Sequence, residues 1–599
     1  MRKQLSRLCE IATAPVTNEF PLFVMSFIML NPMWFSALRT NIPDGLRLLI
    51  TPDNVVTCDL YVTLLYSVFF ATFITIVAKC STKAAFWLKT LIYACLAMCF
   101  IVRKFLLWEF DMDYGPQVLS LIMETNVSES QGFVQTFLLC QTGLKYLGLL
   151  ISVIMTIVVL ECAYRRKLIK YTCTTFSRLT IVLAIVIMLP FGIKSMAKYE
   201  GLKTYSGENS ITGIMAAIDI FKESSKEASK FYETVEQMSS DAELASCDEQ
   251  GQDIVFVLGE SFIKSHASIY GYYLSTMPHM EKEINNGNLY LLDDLISPFP
   301  RTTPSFKNIM SLNNLADNEK WCDCAYIPML FHKAGWNVEM WDNQQAGDRH
   351  YVGSFHEMWT PKISSLCYDY ISDIPYQYDD DLVTGMHKSK TILNNETVKS
   401  NGNQRNNFIF IHLKGEHFPF TSNYPDTIRH FSRTDIKRKE TWMTEEKEQA
   451  IAEYDNAILY NDMVMQHLFN IFRKRTAVIV YISDHGEEVF DYRDKSNRPP
   501  LQNGMSSEYV HCQHDSPCLL WMSDAYQERF SDIVSKVIAA NKIPYSHDLI
   551  GNMLLTLGHV QSKYYRACDD ILSSKFSIRK RVVFPNGRSY SQYYEDMAK

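Results

Sequence analysis

The sequence has little of what marks a nucleic-acid-binding, fibrous or disordered protein. It has no surplus of basic charge, because the formal net charge over 599 residues is −8, whereas nucleic-acid binders normally carry excess positive charge. Glycine and proline number only 24 and 21, and charged residues make up 21% of the chain against 47% apolar residues. This composition excludes a collagen-like repeat, a coiled coil and a disordered chain. The length exceeds one ordinary core and predicts two or more structural units.

Long apolar runs are concentrated in the first third of the chain. Five stretches there carry at most one charge each: 20–38, 55–78, 84–102, 133–160 and 179–193. A helix that crosses a bilayer needs about 20 mostly apolar residues. We therefore predict a five-helix transmembrane domain over residues 1–195. The summed length of the runs argues against buried helices of a soluble fold, and their recurrence argues against a cleaved signal peptide.

Lysine and arginine predict the orientation of these helices, since short cytoplasmic loops are enriched in both. With five crossings, ten such residues fall on the side of the N-terminus and four on the other side. The N-terminus is therefore expected in the cytoplasm, and everything after about residue 195 outside it. Residues 196–250 are polar with helical character, which predicts amphipathic linker helices near the membrane surface. A plain solvated helix is the alternative.

Residues 251–599 alternate short β-branched runs with helical stretches, which predicts an α/β domain built on a largely parallel sheet. Three of the runs have polar side chains at or just after their ends. Run 253–259 is followed by Glu260, and run 478–483 is followed by Asp484-His485. Run 408–413 contains His412 near its end and leads to His417. In open α/β sheets the ligand crevice lies outside the carboxyl ends of the strands. The three strand ends therefore predict one site.

A carboxylate, an aspartate and a histidine suit zinc, or alternatively manganese, and lack the thiolates of a structural zinc site. Singly, Gly-Glu after a strand is typical of a turn, and Asp-His-Gly of a helix N-cap. Together they favour a catalytic metal. The loop between the first two strands contains Thr302 and Thr303, and a metal would activate such a hydroxyl as a nucleophile. An ordinary Pro/Thr loop is the alternative.

Several motifs, in this order, resemble those of the bacterial phosphoethanolamine transferases of the alkaline phosphatase/sulfatase superfamily, which include the lipid A-modifying and mobile colistin-resistance enzymes. They are Gly259-Glu260-Ser261, His266, Tyr270-Gly271-Tyr272, the Thr302–Ser311 loop, His412-x-x-Gly415-x-His417, Tyr454-Asp455-Asn456, Tyr460-Asn461-Asp462 and Ser483-Asp484-His485-Gly486-Glu487. The resemblance covers the whole chain, because the family also has five membrane helices followed by a periplasmic alkaline phosphatase/sulfatase-like domain.

The resemblance implies that Glu260, Asp484 and His485 bind zinc and that a nucleophilic threonine is the fourth ligand. Sulfatases place their nucleophile two residues before a proline and three before a serine. Laid on Pro304 and Ser305, that spacing selects Thr302, as does the position of Ser311 nine residues on, and Thr303 is the alternative.

Further site residues follow from the resemblance alone. His417 and His514 match histidines near the phosphoryl or leaving group, although one extra residue separates His514 from Pro517. His412 and His511 are expected to line the substrate site. Thr125 and Glu129 match a Thr-(x)3-Glu pair that binds the ethanolamine ammonium, which is sensible for a carboxylate beside a cation.

The implied activity is transfer of phosphoethanolamine from phosphatidylethanolamine to a lipopolysaccharide-type acceptor, by a monomer in the bacterial inner membrane. The loop around Thr302 lacks the Cys-Gly-Thr-x-Thr of the lipid A enzymes and is more similar to the subgroup that acts on core sugars or other acceptors. Two alternatives are a glycerol-phosphate transferase of the lipoteichoic-acid type and a non-catalytic sensor module. The outer domain has seven cysteines, and their pairing cannot be read from sequence.

Overall fold

A computed structural model describes residues 14–30, 55–110, 134, 137, 141–168, 210–344, 355–372, 376–386, 405–438, 440–496, 498, 506–584 and 588–590. The chain falls into two compact units, and the continuous run of the second begins at Ser224.

The first unit is built from long apolar helices: α1 (Phe20–Leu30), α2 (Val55–Cys80), α3 (Thr82–Phe110) and α4 (Gln141–Arg165). Among the described residues, three spans are long and apolar enough to cross a membrane, namely Val62–Cys80, Thr82–Phe110 and Thr142–Arg165. Helix α1 is shorter, with 11 residues. Residues 31–38 and the predicted fifth stretch, 179–193, lie outside the described residues. Helices that are long and apolar enough to cross a membrane are therefore confirmed at three of the five predicted stretches, and the count of five stays a prediction.

One cluster of charged side chains in this unit is held by ion pairs. Lys89, the single charge of the third apolar stretch, lies 2.6 Å from a carboxylate oxygen of Glu19 and 2.5 Å from one of Glu161. The hydroxyl of Tyr93 donates to the same Glu161 at 2.9 Å. An ionised group inside a bilayer is costly unless it has a partner, and this cluster explains how α3 carries a lysine.

The remaining helices belong to the α/β part of the chain and the segment that leads into it. They are α5 (Ser210–Ser240), α6 (Pro278–Asn285), α7 (Thr302–Ile309), α8 (Ile327–Lys333), α9 (Pro361–Cys367), α10 (Asp379–Met386), α11 (Glu445–Phe472), α12 (Ser507–His514), α13 (Asp524–Arg529), α14 (Ser531–Ala540) and α15 (Ile550–Leu557).

A seven-stranded sheet forms the centre of the second unit. Its strands are β1 (Asp253–Gly259), β2 (Leu289–Leu291), β3 (Asn337–Asp342), β4 (Tyr370–Ile371), β5 (Asn407–His412), β6 (Ala477–Ser483) and β7 (Cys518–Met522), in the order β2-β7-β6-β1-β5-β3-β4. The five strands from β6 to β4 run parallel, while β7 pairs antiparallel with both β6 and β2. The predicted α/β domain is thus confirmed, with a sheet that is mixed at one edge.

Strands β1 and β6 are buried along their whole length. Helices cover both faces of a parallel sheet, so such strands are continuous apolar runs rather than alternating ones. This is why the sequence pattern identified them.

Short two-residue strands complete the unit. Ala245–Ser246 pairs with Gln561–Ser562, Val582–Val583 pairs with Arg588–Ser589, and Leu295–Ile296 lies between Tyr545–Ser546 and Asp515–Ser516.

Helix α5 is amphipathic in its C-terminal part. Phe231, Val235 and Met238 are buried in the core of the α/β unit, at the spacing of one helix face. The ring of Phe231 lies 5.2 Å from those of both Trp321 and Tyr326. The C-terminal part of α5 therefore packs on this unit through its apolar face.

Candidate metal centre and active site

Two neighbouring strand ends create the centre of the site. Gly259 and Ser483, the last residues of β1 and β6, are paired in register, so Glu260 and Asp484 leave the sheet at the same level. His485 follows directly. Ligand atoms of these three buried residues, which we call the triad, all lie within 4.8 Å of one another. The sequence predicts that three strand ends form one site. The ends of β1 and β6 bring Glu260, Asp484 and His485 together, and their role as metal ligands stays a prediction.

One oxygen of Asp484 is held by the backbone and the other is left for a ligand. Oδ1 accepts from the backbone N–H of Ser261 at 3.0 Å and from that of His485 at 2.7 Å. Oδ2 is buried without a hydrogen-bond partner. Ser261 has a φ of 57°, an uncommon conformation for a residue other than glycine, and its bond to Asp484 helps to hold it there.

The imidazole of His485 is oriented with one nitrogen towards the carboxylates. Its Nδ1 donates to the backbone oxygen of Gly486 at 2.9 Å, which leaves Nε2 with a lone pair. Nε2 lies 2.9 Å from Asp484 Oδ2 and 3.3 Å from Glu260 Oε1. Burial, together with the nearby guanidinium of Arg498, lowers the pKa of His485 to about 3. The ring is therefore neutral, as a metal ligand must be.

Thr302, the first residue of α7, directs its hydroxyl at the triad. Oγ1 donates to Glu260 Oε2 at 3.0 Å and lies 3.4 Å from His485 Nε2. The neighbouring Thr303 is buried, and its hydroxyl has no hydrogen-bond partner. Of the two threonines that the sequence left open, Thr302 is the one in contact with the triad.

The donor set fits a divalent cation. Oxygen atoms of Glu260 and Asp484 lie 3.3 Å and 2.9 Å from His485 Nε2, and burial raises the pKa of Asp484 because a buried carboxylate is poorly solvated. Such a set is stable only beside positive charge. Two carboxylates, an imidazole and a hydroxyl are ligands that zinc accepts.

Gln344 is a site residue that the sequence analysis missed. Its Nε2 donates to Glu260 Oε2 at 3.0 Å and to the backbone oxygen of Leu413 at 2.8 Å. It follows β3 by two residues and so lies at the same edge of the sheet. Its position just after a strand could have identified it. However, the strand sequence Asn-Val-Glu-Met-Trp-Asp contains two acids and lacks the continuous apolar pattern of a buried strand.

Gly415 allows the loop after β5 to approach Glu260. It has a φ of 50°, and a Cβ there would lie 2.8 Å from both the backbone nitrogen and the backbone oxygen of Glu260. The backbone N–H of Glu416 then donates to that same oxygen at 3.0 Å. A side chain at position 415 would separate this loop, which also carries His417, from the metal centre.

Two of the predicted histidines lie near the triad. Burial is the main cause of the lowered pKa of His485 and of the raised pKa of Glu487, and His417 is close enough for its charge to act on both groups. His514 is buried, donates from Nδ1 to the backbone oxygen of Ser297 at 2.7 Å, and has no partner at Nε2. Burial lowers the pKa of His514 to about 4, which keeps its ring neutral.

His547 is a third histidine of this region, and nothing in its local sequence marks it. The short strands Leu295–Ile296, Tyr545–Ser546 and Asp515–Ser516 are in register, which brings His547 and His514 to either side of Ser297. Both ring nitrogens of His547 are buried without a hydrogen-bond partner. Burial is the main cause that lowers the pKa of His547 to about 3, and His485 is close enough to contribute.

His412 and His511, which the sequence analysis placed in the substrate site, have contacts with residues other than the triad. His412 is buried, lies 2.9 Å from Asp342 through Nδ1, and packs against the ring of Phe306 on α7. His511 is hydrogen-bonded to the hydroxyl of Tyr590 at 2.5 Å and lies 3.5 Å from Asp515. Their predicted contact with substrate stays a prediction. The predicted ammonium-binding pair, Thr125 and Glu129, lies outside the described residues.

Residues of the two motifs on α11 form hydrogen bonds with the loops that carry the site. The hydroxyl of Tyr454 accepts from the backbone N–H of Ile263 at 2.9 Å and donates to the oxygen of Ser261 at 2.6 Å. Asn461 donates to Glu416 at 2.9 Å and to Tyr481 at 2.8 Å. These residues hold the turn after β1 and the loop after β5 to one helix.

A buried ion network ties the loop after His485 to the same helix. His266 Nδ1 lies 2.6 Å from Asp455 on α11, and its Nε2 lies 3.2 Å from Asp491. Arg438 also pairs with Asp491. Burial lowers the pKa of His266, but the two carboxylates outweigh it and raise the pKa to about 9. The imidazolium thus bridges α11 and the loop.

Replacing His266 with glutamine is expected to destabilise the α/β unit in a pH-dependent way. The pKa of His266 is raised in the folded protein to about 9, so its contribution is complete below its unfolded pKa of about 6.5 and is lost as the pH rises through 9. At pH 6 we expect a loss of about 3 kcal/mol in the free energy of unfolding. Urea unfolding of the full chain at pH 6 and pH 10 measures it.

His279→Gln is the control, since this histidine pairs with Asp462 while 32% of its side chain is exposed, and an exposed pair contributes little. An equal loss for His266→Gln at both pH values would show that packing, and not the imidazolium charge, carries the effect.

Comparison with known proteins agrees with this geometry. A model of the sulfatase family, described as Sulfatase, matches residues 252–560. Phosphoethanolamine transferase EptA of Escherichia coli (strain K12) is 26% identical over 334 residues, which cover 53% of this chain and 55% of that protein. Phosphoethanolamine transferase EptC of the same strain is 26% identical over 290 residues, 47% of each chain. This chain therefore spans about half the length of these curated relatives.

One solved structure matches nearly the whole chain. The integral membrane protein lipooligosaccharide phosphoethanolamine transferase A (EptA) from Neisseria meningitidis aligns with 93% of this chain and 98% of its own, with a TM-score of 0.57 and 16% identity. At that identity the match shows the fold alone. The predicted resemblance to phosphoethanolamine transferases is confirmed by the named relatives, and because the family match covers just over half of its residues, the chain belongs to the sulfatase family.

Proposed function

We propose that this protein transfers phosphoethanolamine from phosphatidylethanolamine to a lipopolysaccharide-type acceptor, through a phosphoethanolamine group carried covalently on Thr302. The observation that carries the proposal is the contact of the Thr302 hydroxyl with Glu260 and His485, at the end of the sheet where ligands bind in such folds. We infer the identity of the transferred group from the relatives named above, which are phosphoethanolamine transferases.

Glu260, Asp484, His485 and Thr302 would hold a zinc ion, with manganese as the alternative. When bound, zinc lowers the pKa of a coordinated hydroxyl and polarises a phosphoryl oxygen. The residues of the chain contribute by positioning the reacting groups, and such positioning, with electrostatic stabilisation, accounts for most of the catalysis of phosphoryl transfer. The helix N-terminus at Thr302 adds backbone N–H groups that favour an anion.

The reaction has two steps. In the first, Thr302 Oγ1 loses its proton and attacks the phosphorus of the donor lipid, the bond from phosphorus to the diacylglycerol oxygen breaks, and that oxygen takes a proton. In the second, an acceptor hydroxyl or phosphate oxygen loses any proton it carries and attacks the same phosphorus, the bond from phosphorus to Thr302 Oγ1 breaks, and Oγ1 takes a proton. His417 and His514, the histidines near His485, are the groups that would deliver and remove these protons.

The membrane part suits a donor that is itself a bilayer lipid. Three of its described helices are long and apolar enough to cross a membrane. We place the protein in the bacterial inner membrane as a monomer, with the N-terminus in the cytoplasm and the α/β unit in the periplasm. Thr125 and Glu129 would bind the ethanolamine ammonium, while His412 and His511 would contribute to the substrate site.

The identity of the donor separates this function from glycerol-phosphate transfer, which would use the same threonine and metal with phosphatidylglycerol. We expect the zinc-loaded full chain to release diacylglycerol from vesicles that contain phosphatidylethanolamine when a lipopolysaccharide acceptor is present. Vesicles in which phosphatidylglycerol replaces that lipid should give no release. Chelation should abolish the reaction, and zinc should restore it.

Release from phosphatidylglycerol alone would replace the proposal with the lipoteichoic-acid type of transfer. No release from either lipid, with zinc bound, would favour the non-catalytic module.

A further inference from the structure

Arg498 is a charged side chain of the site that neither the motifs nor the proposed mechanism uses. Its Nη1 contacts the imidazole of His485, lying 2.6 Å from Nδ1 and in contact with Nε2. The side chain is 20% exposed, so this guanidinium is largely withdrawn from water. Burying a charge is costly unless the charge has partners, so the groups that this guanidinium binds have to be identified.

Two contacts fix the guanidinium beside the nucleophile. Its Nε lies 3.2 Å from the carboxylate of Glu487, and Nη1 donates to the backbone oxygen of Pro300 at 3.2 Å. Pro300 precedes Thr302 by two residues. The arginine is thus tied both to the loop that follows His485 and to the loop that leads into α7, and its position is coupled to that of Thr302.

Of the two ring nitrogens that Nη1 contacts, Nε2 faces the reacting group. His485 Nε2 is 3.4 Å from Thr302 Oγ1 and is the lone pair that a metal would take. With a metal bound there, one N–H of Nη1 still donates to Pro300 and Nε stays paired with Glu487, while the second N–H of Nη1 needs another acceptor. An anionic oxygen next to Thr302 and the metal satisfies that requirement.

A phosphoryl group is the anion that this arrangement suits. It presents several non-bridging oxygens, and the planar fork of a guanidinium binds phosphate oxygens with two parallel hydrogen bonds. We propose that Arg498 binds the non-bridging oxygens of the phosphoryl group that Thr302 receives. The inference rests on the proposed function, because it assigns a binding residue to the same transferred group.

Inorganic phosphate is the probe, since it offers the same oxygens without a lipid. Phosphate affinity of the zinc-loaded full chain is measured by titration calorimetry for the wild type, Arg498→Gln and Arg498→Lys. We expect Arg498→Gln to weaken phosphate binding about 10- to 100-fold. Arg498→Lys should give an intermediate loss, because lysine keeps the charge but lacks the fork.

Zinc affinity is the second readout, and a merely structural role would move it in the opposite direction. Removing a cation that lies against His485 Nε2 should leave zinc binding unchanged or make it tighter. If Arg498 only held the loop in place, its loss would loosen the triad and weaken zinc binding. Weaker phosphate binding together with unimpaired zinc binding therefore supports the proposal.

Arg493→Gln is the matched control from the same loop, because this guanidinium stacks over the ring of Tyr509, 4.1 Å from its centroid. The control should bind phosphate and zinc as the wild type does. Unchanged phosphate affinity in Arg498→Gln, parallel loss of phosphate and zinc affinity, or an equal effect of Arg493→Gln would each overturn the proposal.

The lipid arm separates this inference from the proposed function. Diacylglycerol release from phosphatidylethanolamine should fall in Arg498→Gln by a similar factor. If the wild type binds phosphate through Arg498 but releases no diacylglycerol, the proposed function fails and the phosphoryl-binding role stands. If release is normal in the variant, the inference fails and the proposed function stands.

Discussion

Replacing Thr302 with alanine should lower the release of diacylglycerol from phosphatidylethanolamine by at least about 1,000-fold. In the proposed mechanism the hydroxyl takes up the phosphoryl moiety, and it is the group through which Thr302 contacts Glu260 and His485. Three of the proposed metal ligands remain in the variant, so zinc binding should persist. Turnover and zinc content of the same purified sample measure both effects.

Thr303→Ala is the control, because Thr303 is the neighbouring residue and its buried hydroxyl has no hydrogen-bond partner. We expect this variant to keep most of the activity, and Thr302→Ser, which retains a hydroxyl, to keep part of it. Loss of turnover in Thr303→Ala with normal turnover in Thr302→Ala would identify Thr303 as the nucleophile instead.

Asp484→Asn should abolish zinc-dependent turnover through loss of the metal rather than loss of the fold. The asparagine oxygen can still accept from the N–H groups of Ser261 and His485, but the anionic oxygen that has no partner in the structure is replaced by an amide. Zinc affinity should fall by more than about 100-fold, the upper end of what a lost supporting contact costs. The wild type should gain about 2.7 kcal/mol of stability at a zinc concentration of 100 times Kd, and the variant almost none.

Asp494→Asn serves as the control, since Asp494 is exposed on the loop that follows His485. It should keep the zinc-induced rise in melting temperature. Burial raises the pKa of Asp484, so its charge is held at a cost and the metal-free Asp484→Asn protein should melt no lower than the metal-free wild type. A wild-type zinc shift in Asp484→Asn would remove this residue from the metal site.

The parts of the fold that sequence predicted are those in which local pattern and tertiary role coincide. Strands β1 and β6 are apolar throughout because both faces of the sheet are covered, and the polar residues that follow them mark its ligand-binding edge. Glu260, Asp484 and His485 could therefore be placed together from their positions after strands. The choice of Thr302 needed the spacing of a known family, because nothing local distinguishes it from Thr303.

The parts that sequence missed depend on contacts distant in the chain. Gln344 follows a strand that contains two acids, and β7 joins the sheet antiparallel, which an apolar run does not reveal. Arg498 lies in a polar, proline-rich stretch, and only the fold brings it to His485. His547 reaches the vicinity of His514 through the register of three two-residue strands, which are too short to leave a pattern.

The central claim is that Thr302 carries the transferred group. The most direct measurement is a peptide-mapped mass of the full-length protein after incubation with phosphatidylethanolamine and zinc, with the acceptor left out. The account predicts a phosphoethanolamine adduct on the peptide that contains Thr302, absent from Thr302→Ala. Diacylglycerol release from the wild type without an adduct on either threonine would contradict it.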